Sequence, residues 1–247
     1  MQGKLLGIKL PQLSNSEVLE EIKRSLGSTR DFYHIVSLNP EIVVLLYGDK
    51  EFRKVVRKAQ MKIIDGVGVV LAAQMLNIRI GARFNGVDLM ENLLNIASNE
   101  RLRVMLIGGG PKIAERVVEC QKLQKSEAKF RAVEGISDIK NLDAKEEKEL
   151  LSIVADYKPQ LLLVAFGSPF QELWLYKHRK RLKGVVCMGA GGAFDFLSGS
   201  VKRAPRIVRR LGLEWFFRLI LQPWRILRQI RLLKFTWLVV KERIRAT

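Results

Sequence analysis

Apolar positions recur along the chain in two periods, and each change of period marks a change of element. Val18, Leu19, Ile22 and Leu26 fall at helical spacing behind Ser14, Asn15 and Ser16, any of which suits a helix N-cap. A first helix is therefore predicted to end near Leu26. HIVSLN, residues 34–39, reads as a strand ending in a polar loop, residues 39–59 as helix, and MKIID as a second strand ending on Asp65. GVGVVLAAQML, residues 66–76, reads as a buried helix that begins near its glycines.

From Arg101 the pattern settles into βα units. RVMLIGGGP is a strand, a glycine turn and a proline suited to the first turn of the next helix, IAERVVECQKLQ. FRAVEGI is a further strand, and Asp143 with Glu146 predicts a capping box for the helix that Pro159 ends. QLLLVAFGSPFQELW repeats the order of strand, glycine, proline and helix, and GVVCMGAGGAFDF adds a strand with a glycine-rich exit. Such alternation predicts an α/β fold, a Rossmann-like parallel sheet with helices on both faces. The three exits, at residues 108–110, 167–169 and 189–192, are then expected at one edge of the sheet. Ligands of open α/β sheets bind at that edge, where backbone N–H groups and helix N-termini favour phosphate. No loop reads GxGxxG with a ribose-binding acid and none reads GxxxxGK[ST], which disfavours dinucleotide and P-loop readings.

Charge divides the chain. Of a net +18, residues 201–247 carry +11, with thirteen Lys and Arg against two Glu. That segment interleaves arginine with Trp, Phe, Leu and Ile, and Pro223 must begin a new helix or kink the old one. If the segment is helical, Arg218, Arg225 and Arg228 can share a face. Three uses fit: core helix with a solvated arginine face, a membrane-surface helix, or a single-strand nucleic-acid binder. RNP, KH and zinc-finger signatures are missing, so no nucleic-acid partner is expected. No uncharged run reaches the roughly 18 residues of a membrane span. The expected division is a core of residues 1–199 and a helical, basic, membrane-facing appendage of residues 200–247.

At 247 residues the chain can bury a core without staples. Cys120 and Cys187 form no CxxC pair, and His34 and His178 stand alone, so neither a disulfide framework nor a zinc site is indicated. The first eighteen residues show no secretory signal, which points to the cytoplasm. Asp65, in KIIDGVGVV, remains open at this level: it either forms the glycine turn or does chemistry.

SLNPE, IIDGVGVV, ARFNGVDLM, LIGGGP, VAFGSPFQELW, GAGGAFDFLSG, KRAP and GLEWFFRL followed by PWRILRQ occur in an order and spacing that resembles the WecG/TagA/CpsF family of bacterial glycosyltransferases. The match runs from about Val36 to Arg228. Members are membrane-associated inverting enzymes that move a sugar, such as N-acetylmannosamine, from a UDP-sugar to an undecaprenyl-diphosphate-linked acceptor in surface polymer synthesis. The resemblance implies that Asp65 is the base, that Arg83 lies near a diphosphate or the acceptor, and that Arg218, Arg225 and Arg228 fold over the site to neutralise the leaving group. It places Ser37, Asn39 and Gln171 at sugar-binding positions. It also places Asp195 at the nucleotide edge, with Gly109, Gly167 and Gly191 contributing backbone there. No cofactor is implied, and the chain contains no Asp-x-Asp to hold a metal. Glu214 is expected to pair with a tail arginine. Ser37 stands where the family commonly has threonine, Ile207 where it often has an aromatic, and Ala82 where it often has an acid; donor choice among N-acetylmannosamine, glucose, galactose and a uronic acid stays open. Family members self-associate, and the expected location is the inner face of the cytoplasmic membrane.

Overall fold

A computed structural model describes residues 4–28, 30–223 and 226–246, with the side chains of residues 227–229 and 246 excepted. A two-residue hairpin, β1 (Lys4–Leu5) and β2 (Ile8–Lys9), precedes α1 (Asn15–Ser25). Ser14 caps α1 in a reciprocal capping box with Glu17. The core is a six-stranded sheet of β3 (Tyr33–Leu38), β4 (Met61–Ile64), β5 (Arg103–Gly108), β6 (Lys129–Val133), β7 (Leu161–Ala165) and β8 (Val186–Gly189). Its order is β4-β3-β8-β7-β5-β6, and every pairing is parallel.

The strands are apolar on both sides because helices cover both faces. In β3, Tyr33 and Ile35 join one apolar layer and Val36 and Leu38 the opposite one. In β7, Leu161 and Leu163 face the first layer and Leu162 and Val164 the second. The first face carries α1, α5 (Gly86–Asn99), α6 (Ile113–Leu123) and α9 (Ala193–Leu197). The second carries α2 (Pro40–Gly48), α3 (Lys50–Lys58), α4 (Val67–Met75), α7 (Ala144–Tyr157) and α8 (Phe170–Lys177). β3 leads into α2 on one face while its neighbour β8 leads into α9 on the other. A crevice therefore opens at their carboxyl ends.

Several local expectations shift. The helix predicted over residues 39–59 breaks at Asp49, whose Oδ1 accepts the Phe52 N–H at 2.9 Å and caps α3. Asp143 caps α7 through Lys145 N–H, but Glu146 accepts from Ser137 N–H at 2.8 Å instead of closing a capping box. Pro111 lies ahead of α6 and outside its first turn, because Lys112 is the N-cap. Helix α7 ends where predicted, with left-handed Lys158 directly before Pro159.

The basic segment forms α10 (Arg206–Arg210), α11 (Glu214–Leu221) and α12 (Ile226–Ala246), with Pro223 between the last two. Helix α12 returns to the second face and buries Phe235, Leu238 and Val239 in the layer shared with α2 and α4. Its far end is tied by Glu242, whose Oε2 accepts the Leu6 N–H at 3.0 Å. Arg218 belongs to α11 and position 228 to α12, so these two do not share a face of one helix. Arg225 and the Arg228 side chain lie outside the described residues. Among the described residues no helix is long and apolar enough to cross a membrane.

Candidate active site

A cavity of about 580 Å³ lies at the carboxyl end of β4, within the ordinary size of a small-molecule site. Asp65, Asn39, Arg83 and Arg218 line it, together with Asn85, Arg209 and Glu214. Asp65 follows the last residue of β4, and its N–H donates to Leu38 O at 2.9 Å, which extends the β3–β4 ladder by one bond. The side chain turns to the start of α5, where Oδ1 accepts the Gly86 N–H at 2.9 Å.

Position 86 leaves little room for a side chain. A Cβ there would lie 3.3 Å from Ser37 Oγ and 3.4 Å from Asp65 Oδ2. Ser37 Oγ is buried and has no hydrogen-bond partner, so a hydroxyl is held against the helix start beside the carboxylate.

Burial drives the Asp65 pKa up to about 6. The Gly86 N–H opposes that rise, Glu214 adds to it, Arg83 opposes it, and Asp88 adds to it. Glu214 reaches the site from the start of α11 and is held from two sides. Asn85 Nδ2 donates to its Oε2 at 2.8 Å, and Arg203 Nε lies 3.4 Å from its Oε1, which is the expected pairing with an arginine of the basic segment. Arg203 also meets Asp88 at 2.5 Å and Glu91 at 3.0 Å, so one guanidinium pins the segment to α5.

Arg83 extends along the cavity wall and donates from Nη2 to Arg209 O at 3.0 Å. Arg209 adds a second guanidinium, its Nε buried without a hydrogen-bond partner and its Nη1 3.6 Å from Asp88. Arg218 is ion-paired with Asp195, donates to Gln222 at 3.0 Å and lies over the Phe196 ring at 4.7 Å. Its guanidinium rests on Gly192 so closely that a Cβ at that position would collide with it.

The sequence-predicted residues thus fall into two groups. Asp65, Asn39, Arg83 and Arg218 line one cavity, with Ser37 directly behind it. Asn39 spends Oδ1 on capping α2 at Ile42 N–H, 2.9 Å, which leaves its amide nitrogen as the group it can offer. The glycine exits do meet at the sheet edge: Gly109 N–H donates to Ala165 O at 3.0 Å and Ala190 N–H to Val164 O at 2.8 Å. Those bonds consume the N–H of Gly109, and Gly167 N–H is likewise spent on Gln171 Oε1 at 3.1 Å. Gly191 takes a left-handed φ of 47° and lies beside the Gln171 amide. Gln171 is buried, bonded to Gly167, Ser168 and Glu172, and does not line the Asp65 cavity.

His34 and His178 are buried away from the cavity, the latter 2.8 Å from Glu147. Among the described residues no group of three or more His, Cys, Asp or Glu is placed to hold a metal. Asn85 and Arg209 were not singled out by sequence. Asn85 carried an N-cap signal before GVDLM, but a cap signal does not say what else the amide will touch.

Comparison with known proteins gives this arrangement a family. The family model described as Glycosyl transferase WecG/TagA/CpsF matches residues 3–247. The chain is 34% identical over 209 residues to an N-acetylglucosaminyldiphosphoundecaprenol N-acetyl-beta-D-mannosaminyltransferase of Bacillus subtilis (strain 168), covering 84% of this chain and 79% of that protein. Proteins of the same name are 31% identical in Bacillus spizizenii, over 84% of this chain and 78% of theirs, and 29% identical in Staphylococcus aureus (strain NCTC 8325 / PS 47), over 90% and 85%. With a family model spanning nearly its whole length, the chain belongs to the WecG/TagA/CpsF family of glycosyltransferases.

Proposed function

We propose that this chain catalyses metal-independent, inverting transfer of an N-acetylmannosamine-like sugar from a UDP-sugar to an undecaprenyl-diphosphate-linked saccharide, at the inner face of the cytoplasmic membrane. The observation that carries the reading is the setting of Asp65: one carboxylate oxygen fixed by Gly86, a pKa lifted to about 6, and three arginines lining the same cavity. A general base works best when its pKa lies near the operating pH. With Oδ1 held, Oδ2 takes the proton of the acceptor hydroxyl as that oxygen bonds to the anomeric carbon. The bond from that carbon to the UDP oxygen breaks on the opposite face, and UDP leaves with the electron pair.

Charge building on the diphosphate is met by guanidinium groups, which bind phosphate through paired N–H donors. Arg83, Arg209 and Arg218 line the cavity, and Arg225 and Arg228 enter the proposal through family resemblance. Absence of Asp-x-Asp from the chain supports a metal-independent reaction. The Asn39 amide is assigned to sugar hydroxyls, Ser37 to backing the Asp65 carboxylate from behind the cavity, and Asp195 to keeping Arg218 in register. Gln171 holds the Gly167 turn, and with Gly109 and Gly191 it shapes the nucleotide edge.

The acceptor assignment rests on the names of the relatives. The test is turnover of a UDP-sugar panel with a short-chain lipid-diphosphate acceptor in EDTA. N-acetylmannosamine transfer is expected; a preference for glucose, galactose or a uronic acid would replace the donor, and loss of turnover in EDTA would overturn metal independence. Asp65→Asn is expected to abolish turnover while UDP binding survives, and retained turnover would remove the base assignment.

A further inference from the structure

The cavity has two kinds of lining. Its polar and charged part includes Asp65, Asn39, Arg83, Arg209 and Arg218. Its apolar part comes from Leu71 and Met75 of α4 and from Phe235, Val239 and Val240 of α12. Leu71 and Met75 are four positions apart and so lie on one face of α4. They are 58% and 43% exposed, while Val69, Ala72 and Ala73 of the same helix are buried. An apolar wall left open to solvent and continuous with a charged site has a physical cost, which a ligand would remove.

We propose that the cleft between α4 and α12 receives the first isoprene units of the lipid acceptor. This rests on the functional reading above and adds to it where the lipid goes. One cavity thus combines hydrogen-bonding, cationic and apolar lining, the three kinds of surface that an acceptor made of sugar, diphosphate and hydrocarbon needs beside a charged donor. Glu41, which also lines the cavity, is paired with Arg231 across α2 and α12 and so does not repel the diphosphate. A cavity of about 580 Å³ is far too small for a whole polyprenyl chain, so only the units next to the diphosphate enter. Leaving the rest in the bilayer would bring the reacting sugar to Asp65 without full extraction of the lipid.

The experiment compares N-acetylglucosaminyl diphosphate esters of methanol, geraniol and farnesol as acceptors for the full chain, and separately measures farnesyl diphosphate binding by calorimetry. kcat/KM is expected to rise about tenfold or more from methyl to geranyl ester, since each buried methylene adds to binding. Leu71→Glu and Met75→Glu should lose most of that ratio and weaken farnesyl diphosphate binding. Leu123→Glu, 83% exposed on α6 at the opposite face, should change neither. An unchanged ester ratio in both α4 variants, or no chain-length gain in the unmodified protein, overturns the proposal. A change confined to self-association in the α4 variants overturns it as well. Should no ester be turned over while farnesyl diphosphate binds and the α4 variants weaken it, the acceptor assignment falls and the cleft stands.

Discussion

Asn85 donates its side-chain amide to Glu214 Oε2 at 2.8 Å, a contact between residues 129 positions apart. Asn85 caps the helix whose first N–H holds Asp65, and Glu214 opens the first turn of α11. The pair therefore couples the docking of the basic segment to the environment of the carboxylate. Glu214 raises the Asp65 pKa and Arg83 lowers it, so the carboxylate is tuned by charges from two separate parts of the chain.

A pH profile tests this coupling. In the proposed role of base Asp65 must be ionised, so kcat is expected to rise with pH through about 6 and level off above it. Glu214→Gln removes a charge that raises the pKa, and the acidic limb should move to lower pH. Arg83→Gln should move it the other way. An acidic limb that stays fixed in both variants would dissociate Glu214 and Arg83 from Asp65.

Stability should respond to the same carboxylate with a definite sign. Because its folded-state pKa, about 6, lies above the unfolded value near 3.8, the native state binds more protons between those two pH values. Stability contributed by the protonated group is then lost as pH rises, and the full penalty is present above about 6. Asp65→Asn, whose Oδ1 still accepts from Gly86, is expected to be more stable than the unmodified protein by about 1–3 kcal/mol at pH 7.5. Urea denaturation should show the difference vanishing below pH 4.

Gly192 offers a way to disturb Arg218 without touching its charge. The backbone there takes φ −79°, which any residue tolerates, yet a Cβ would collide with the guanidinium. Since that group is the end of a flexible side chain, Gly192→Ala should displace it and leave the fold intact. Turnover is expected to fall about tenfold to a hundredfold with Tm unchanged, as for other losses of a preorganised cation. Full activity would show that Arg218 works from elsewhere or not at all.

Helix α12 combines buried and exposed apolar residues, and the two classes should separate in a denaturation experiment. Phe235 is 3% exposed in the layer with α2 and α4, and Phe235→Ala should cost about 3–5 kcal/mol. Trp237 is 58% exposed two positions later, and Trp237→Ala should change stability by no more than about 0.5 kcal/mol. Equal effects would mean that α12 does not pack on the core.

Much of this protein was legible in its sequence because the signals are local. Runs of apolar residues bounded by glycine mark β5, β7 and β8, since strand length and turn chemistry are set within a few residues. Their regular alternation with helices leaves a parallel sheet as the architecture that buries both faces of each strand, and its edge as the ligand edge. Asp65, Arg83 and Arg218 were found through motif resemblance, and the fold brings them to one cavity. What the chain's one-dimensional order could not contain is who meets whom across long separations. That Gln171 turns inward to Glu172 and Ser168, that α12 returns to bury Phe235, and that Asn85 finds Glu214 all depend on how packed layers close over the sheet. A side chain's hydrogen-bonding groups are fixed by its type, but which partner satisfies them is decided only when burial removes water as the alternative.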